Sequence, residues 1–281
     1  MKKLVIYLFA VMAIMACEPI VDDVSIGGVI PESELNLTVK SVVEGGNELV
    51  LENNTPGVGS LWDFMISKSS LAKNVIVLPF MGEITITFTG ICDGGTVTTT
   101  RTVNVTKITT PVAEEWNMFA GSSVTGKSWV WDETAESGAY GYGGYGYSYV
   151  PDWGSNMPGE TSDGGLFVNP DDEMVFDLDG GANFTRRLAN GKELGKGSFV
   201  FDMSKKKIGS DGKVWSIGTL EFKGVTIPCP GDYYSPGTDL FEFDIISLSE
   251  DKMVLAWAAP DAIFQDPDWG TLATYWCFRK K

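Results

Sequence analysis

Apolar and polar residues alternate along most of this chain. From Leu35, Leu37 and Val39 point one way while Asn36, Thr38 and Lys40 point the other. The same two-residue period recurs at 48–52, 74–78, 83–88 and 96–105, with β-branched residues dominating, and each run predicts a strand. Asn53 to Gly57 and Asp93-Gly94-Gly95 read as turns, the second as a hairpin between the last two runs. No helical period appears here, and strands of this length and spacing predict a sandwich over 34–108. A short segment with Thr109-Thr110-Pro111, residues 109–115, reads as a linker.

A second series of strands follows over 116–281. Its first begins at Gly126-Lys127-Ser128-Trp129-Val130-Trp131-Asp132, where Trp129 and Trp131 share one face and at least one should be core. Further runs lie at 173–178, 197–202, 219–222, 240–246, 253–257 and 271–278, with turns at Gly180-Gly181, Asn190-Gly191 and Asp211-Gly212. Seven or more strands without a long helix predict a larger jelly-roll-like β-sandwich. The expected fold class is therefore all-β, in two modules.

The N-terminus has its own pattern. Lys2 and Lys3 precede an apolar run, Leu4 to Ile14, too short to span a bilayer and of the length of a signal peptide. Ile14-Met15-Ala16-Cys17 then resembles the lipobox of bacterial lipoproteins, which implies cleavage after residue 16 and lipid on Cys17. The alternative is an ordinary secretory signal with a chance cysteine. Acyl chains anchor by about 0.8 kcal/mol per buried methylene. Residues 17–33 then form a tether; its start, Glu18 to Asp23, is similar to the acidic segment of Bacteroidetes surface lipoproteins. The implied location is the outer membrane, facing the cell surface.

Composition narrows the chemistry. The net charge is −16, and two units more negative once Lys2 and Lys3 leave. Such a surface repels nucleic acid, which is not an expected partner. It suits a neutral ligand, although acidity alone does not specify one. The chain has no histidine, which removes Ser-His-Asp and Cys-His catalysis and the usual zinc sites. Catalysis would have to rest on carboxylates, and no metal or cofactor is expected; Asp171, Asp172, Glu173, Asp177 and Asp179 read first as solvated turn residues, with calcium as the weaker alternative. Apart from Cys17, three cysteines remain. An oxidising compartment would permit a Cys229–Cys277 disulfide, with Cys92 a small buried hydrophobe.

Trp62-Asp63-Phe64 and the run Phe80-Met81-Gly82-Glu83-Ile84-Thr85-Ile86-Thr87-Phe88 make residues 35–106 resemble a PKD domain, an immunoglobulin-like spacer of bacterial surface proteins. The family's Gly-Asp-Gly loop is replaced by Met65-Ile66-Ser67. The order of lipobox, PKD-like module, Lys127-to-Asp132 strand and aromatic loop resembles Bacteroidetes surface glycan-binding proteins. That resemblance implies a terminal sugar-binding sandwich and an outer-membrane glycan transporter as partner.

The candidate site is the loop Gly138 to Gly154, with five tyrosines and a tryptophan among glycines. Flat ring faces with polar tips stack on pyranose C–H faces, and carboxylates bond equatorial hydroxyls. Tyr149, Asp152 and Trp153 are the candidates here; Trp269, in a second Asp-Trp-Gly tripeptide, and Tyr234, beside Tyr233 in a third loop, complete the set. The alternatives are rings that cover their own core, or a low-complexity insert. The leading expectation is a non-catalytic binder of a neutral polysaccharide. The runner-up is a glycosidase using Glu242, because Glu242 and Asp244 share a strand face and resemble half of the family 16 glycoside hydrolase motif; Ser247 stands where its third acid belongs. An adhesive, protein-binding role is the third reading.

Overall fold

The computed structural model describes residues 27–281 except 123, 163, 232–236 and 269. The first module holds β1 (Leu37–Ser41), β2 (Glu48–Asn53), β3 (Gly59–Asp63), β4 (Lys68–Ser69), β5 (Lys73–Val77), β6 (Gly82–Cys92) and β7 (Gly95–Val105). They form two antiparallel sheets, β1-β2-β5 and β4-β3-β6-β7. Alternation supplies the core between them: Leu49, Leu51 and Ile76 from one sheet, Trp62, Ile84, Ile86 and Phe88 from the other. The Trp62 indole packs on Phe88 and donates to the Leu71 carbonyl at 3.1 Å. The two sheets pack face to face as a sandwich, and with the second module the all-β class holds.

The linker is not a free hinge. The buried Asn47 side chain accepts from the amides of Thr109 and Thr110, both at 2.9 Å, and donates to the carbonyls of Leu78 and Thr110. A helix follows at once, α1 (Glu114–Ala120). Its C-terminal carbonyls, which a helix cannot satisfy by itself, accept from the Trp129 indole (Phe119 O, 2.8 Å) and from Lys127 (Met118 O, 2.5 Å).

The second module contains β8 (Lys127–Trp131), β9 (Tyr140–Gly144), β10 (Gly154–Asn156), β11 (Asp172–Asp177), β12 (Asn183–Leu188), β13 (Glu193–Asp202), β14 (Lys207–Ile208), β15 (Val214–Ser216), β16 (Gly218–Lys223), β17 (Glu242–Leu248), β18 (Lys252–Trp257) and β19 (Leu272–Lys280). In place of the crossing connections of a jelly roll, the strands pair in the order β8-β11-β12-β13-β16-β17-β18-β19, and β19 returns to β8. This is a closed, antiparallel, eight-stranded meander. The β9–β10 hairpin extends the free part of β19, and the β14–β15 hairpin projects between β13 and β16.

The lumen is filled. Every second residue of each barrel strand points in: Trp129 and Trp131, Met174 and Phe176, Phe184, Phe199 and Phe201, Leu220 and Phe222, Phe243 and Ile245, Met253 and Leu255, Trp276 and Phe278. Both β8 tryptophans are thus core. Phe119 of α1 enters from one end and meets Phe176 at 4.4 Å and Phe201 at 4.8 Å. The two modules share this core. Trp116 of α1 touches Phe80 of the sandwich and Phe201 of the barrel, and Met81 exchanges backbone hydrogen bonds with Leu178 and Gly180.

One expectation is corrected here. Cys229 and Cys277 are free thiols. Trp276 faces the lumen and donates to the Cys229 carbonyl at 3.1 Å, so the next residue of β19, Cys277, points to the opposite face. Burial pushes each thiol up to about 12. Alkylation of the native chain at neutral pH, read by peptide mass, is expected to label Cys92, which is half-buried, and to spare Cys229 and Cys277 until denaturant is added. In the acidic run the carboxylates have protein partners. Asp172 pairs with Arg186, while Glu173 turns the other way to Arg187 and Lys281, and Asp177 accepts from Asn183. Among the described residues no group of three acidic, cysteine or histidine side chains is placed to hold a metal ion, and no helix is long and apolar enough to cross a membrane. Cys17 lies outside the described residues.

Candidate functional site

A packed lumen moves any binding surface to the outer wall and the loops. On the wall, the outward residues of β17 to β19 build a second, smaller core: Ile246, Ala256, Ala273 and Tyr275, covered by Tyr145 and by Trp215 of the β14–β15 hairpin. Tyr145, Trp215 and Phe264 pack edge to face with centroids 5.2–5.5 Å apart.

This core fixes the aromatic loop. The Ser148 carbonyl accepts from the Trp215 indole at 2.6 Å and from the Tyr275 hydroxyl at 2.9 Å. The Tyr275 hydroxyl also lies 3.0 Å from the Gly144 carbonyl, and burial raises its pKa. Ser148 in turn donates to Asp152 Oδ1 at 2.6 Å and accepts from the Gly144 amide. The turn between β9 and β10 is therefore held from below at several points.

Its glycines have a spatial reason. A Cβ at Gly144 would stand 2.9 Å from Cζ2 of Trp153, and one at Gly154 would stand 2.6 Å from the Tyr142 ring. The missing side chains let both rings lie across the hairpin. Trp153 remains 40% exposed and Tyr149 44%. Asp152 is exposed between them in the chain. The loop splits the roles open at sequence level: Tyr140 and Tyr145 are buried, Tyr142 and Tyr147 half-buried, while Tyr149 and Trp153 face water.

The second loop is docked on the first. Gln265 donates from its amide to Tyr145 O and from Nε2 to Gly146 O, and its Oε1 accepts from the Ser210 amide. The Tyr147 hydroxyl lies 3.0 Å from the Gln265 carbonyl. Gln265 has a left-handed backbone, φ 53°, which a non-glycine residue holds only where its surroundings impose it. It joins three loops, yet nothing in its sequence context marks it. Trp269 and the 232–236 segment with Tyr233 and Tyr234 lie outside the described residues. Their flanks are placed: Thr271 O accepts from the Tyr145 amide, and Gly231 O from the Tyr140 hydroxyl.

The carboxylates of β17 stand elsewhere on the wall. Glu242 is exposed, Asp244 is bound by Lys207 at 2.6 Å, and a register shift after Ile245 takes Ser247 out of the simple alternation. Neither a scan of protein-family models nor a search of curated proteins finds a match to this chain.

Proposed function

We propose that this chain is a non-catalytic glycan-binding lipoprotein of the cell surface, which captures a neutral polysaccharide through the β9–β10 turn and the docked loop beside it. The observation that carries the reading is the exposure of the Trp153 and Tyr149 rings on a backbone pinned through Ser148, Trp215, Tyr275 and Gln265. Rings held in place before contact lose little entropy on binding, and their apolar faces are already turned to solvent. Asp152 supplies an acceptor for sugar hydroxyls at the same turn. Lipid on Cys17 would tether the chain, the PKD-like sandwich would carry the barrel off the membrane, and an outer-membrane transporter would receive the glycan. Weak contacts repeated along a polymer raise its retention without a deep pocket.

Affinity electrophoresis in gels containing neutral polysaccharides tests this. At least one polysaccharide should retard the chain without cleavage, and Trp153→Ala should abolish most of the retardation, a loss of about tenfold or more in affinity. Release of reducing sugar, or retardation unchanged in Trp153→Ala, would reject the reading.

A further inference from the structure

The β14–β15 hairpin is an insert that the barrel does not need for closure. β13 pairs directly with β16, from Ser198 opposite Lys223 to Asp202 opposite Thr219, so the wall is continuous past the base of the hairpin. A lone two-stranded hairpin is at best marginally stable in water. Its outer side adds little, because the register partners Ile208 and Val214 are 59% and 41% exposed. What its inner side touches therefore sets its position.

That inner side touches the ring turn. The buried Trp215 packs on Tyr145, the first residue after β9, and its indole donates to the carbonyl of Ser148, the residue before Tyr149. Lys207 donates to the Tyr145 hydroxyl at 2.8 Å and to Asp244 Oδ2 on β17 at 2.6 Å. Its ammonium also stands 5.1 Å from the centroid of the Tyr145 ring and 5.8 Å from that of Trp215. At the tip, the Ser210 amide donates to Gln265 Oε1 at 2.7 Å, and a Cβ on Gly209 would stand 2.6 Å from Gln265 Nε2.

Lys207 is where hairpin, wall and turn meet. Asp244 is buried, and among the described residues Lys207 is the cation that compensates it. Burial by itself would lower the Lys207 pKa, but the bonds to Asp244 and Tyr145 outweigh it and raise it, so the ammonium is charged at neutral pH. Without that ammonium the carboxylate would be a buried charge with no partner, and lifting the hairpin would be the way to return it to water.

We propose that the β14–β15 hairpin is a clamp on the ring turn, closed by Lys207 as a positioning residue that acts through Tyr145, Trp215 and Ser148. Lys207 touches no ligand in this scheme. It holds the turn that presents Tyr149 and Trp153 in one conformation. The proposal rests on the glycan reading only for what that turn binds.

Hydrogen exchange of the full chain, read by mass spectrometry, tests the clamp without any ligand. In Lys207→Met, exchange over 145–153 and 207–216 should quicken about tenfold or more, while β11 and β12 keep the protection of the parent. A side chain that merely supports the fold would loosen all four segments together. Lys207→Arg, which keeps the cation, should stay within about threefold of the parent. If Lys207→Met does not fold, Trp215→Phe keeps a ring, drops the donor to Ser148 and should give the same local quickening over 145–153. Exchange over 145–153 that is unchanged in the variant, or that quickens equally in β11 and β12, would overturn the proposal. Where a polysaccharide retards the parent in a gel, the same variant should lose about fivefold in affinity, and full retention would also overturn it. The two readings fail separately. A parent that no polysaccharide retards removes the glycan reading alone, and a retarded parent whose variant shows no local quickening removes the clamp alone.

Discussion

Replacing Phe119 by alanine will lower the stability of this chain by about 3–5 kcal/mol. Phe119 is fully buried and stacks on Phe201 with centroids 4.8 Å apart, and it touches Phe176 and Phe199 as well. These rings belong to three different layers of contact: Phe176 on β11, Phe199 and Phe201 on β13, and Trp116 one turn earlier on the same helix. Alanine would leave an opening of ring size at the end of the barrel, and the surrounding strands are hydrogen-bonded to both neighbours and cannot collapse into it. The helix would suffer too. It has only seven residues and no side-chain N-cap, so packing rather than propensity holds it. Urea unfolding at neutral pH measures the effect from the shift in midpoint at constant slope. A loss under about 1 kcal/mol would mean that α1 is an ornament on the barrel, not its plug.

Stability will also fall as the pH drops from about 4.5 toward 2, and Glu173 is the residue expected to contribute most. Its side chain is 1% exposed, and burial by itself would raise its pKa. Hydrogen bonds from Arg187, Lys281 and Ser128 outweigh that and hold the carboxyl down at about 2, against 4.5 for an unperturbed glutamate. A depressed acid stabilises the fold above its unfolded pKa, and this contribution is lost as the pH falls through the folded one. A shift of that size corresponds to about 3 kcal/mol, which solvent around the partly exposed Arg187 and Lys281 reduces to about 2. The geometry explains the leverage. Glu173 is the register partner of both Arg187 on β12 and Val130 on β8, and Lys281 reaches it from the chain end, so one carboxylate ties three neighbouring segments. Glu173→Gln should therefore be less stable than the parent at pH 7 and close to it at pH 2. A stability gap that stays constant with pH would remove Glu173 from the acid transition.

The elements legible from sequence were those with a clean period of two. Phe199-Val200-Phe201 or Met253-Val254-Leu255 could only be strands with one face in a core. The elements that escaped have other causes. β12, Asn183-Phe184-Thr185-Arg186-Arg187-Leu188, has one fully buried apolar residue, because Arg186 turns inward to Asp172 and Arg187 outward to Glu173. It is the eighth strand of the barrel, and without it the distal module read as a jelly-roll-like sandwich. β9 was hidden by its glycines, which leave room for the Gly154 backbone at Gly141, for Ser148 and Asp152 at Gly143 and for the Trp153 ring at Gly144 rather than making a turn. α1 is too short to show a helical period.

The candidate site divides in the same way. Trp153, Asp152 and Tyr149 stand out as candidates because a run of rings among glycines is visible in composition. Gln265, Trp215, Tyr275 and Lys207, which hold that turn in place, are single residues from distant parts of the chain. The disulfide expectation failed because shared membership of a module does not settle which face of β19 Cys277 takes.

The amino-acid sequence by itself determined the all-β class, because alternation is a local property that burial on one face imposes residue by residue. Only the tertiary structure decided that the distal sheet closes on itself, that its lumen is solid with aromatic rings, and that the acids of β17 face outward from the wall. Closure depends on which strand finds which partner, and that is settled by register and ring packing between residues more than a hundred positions apart.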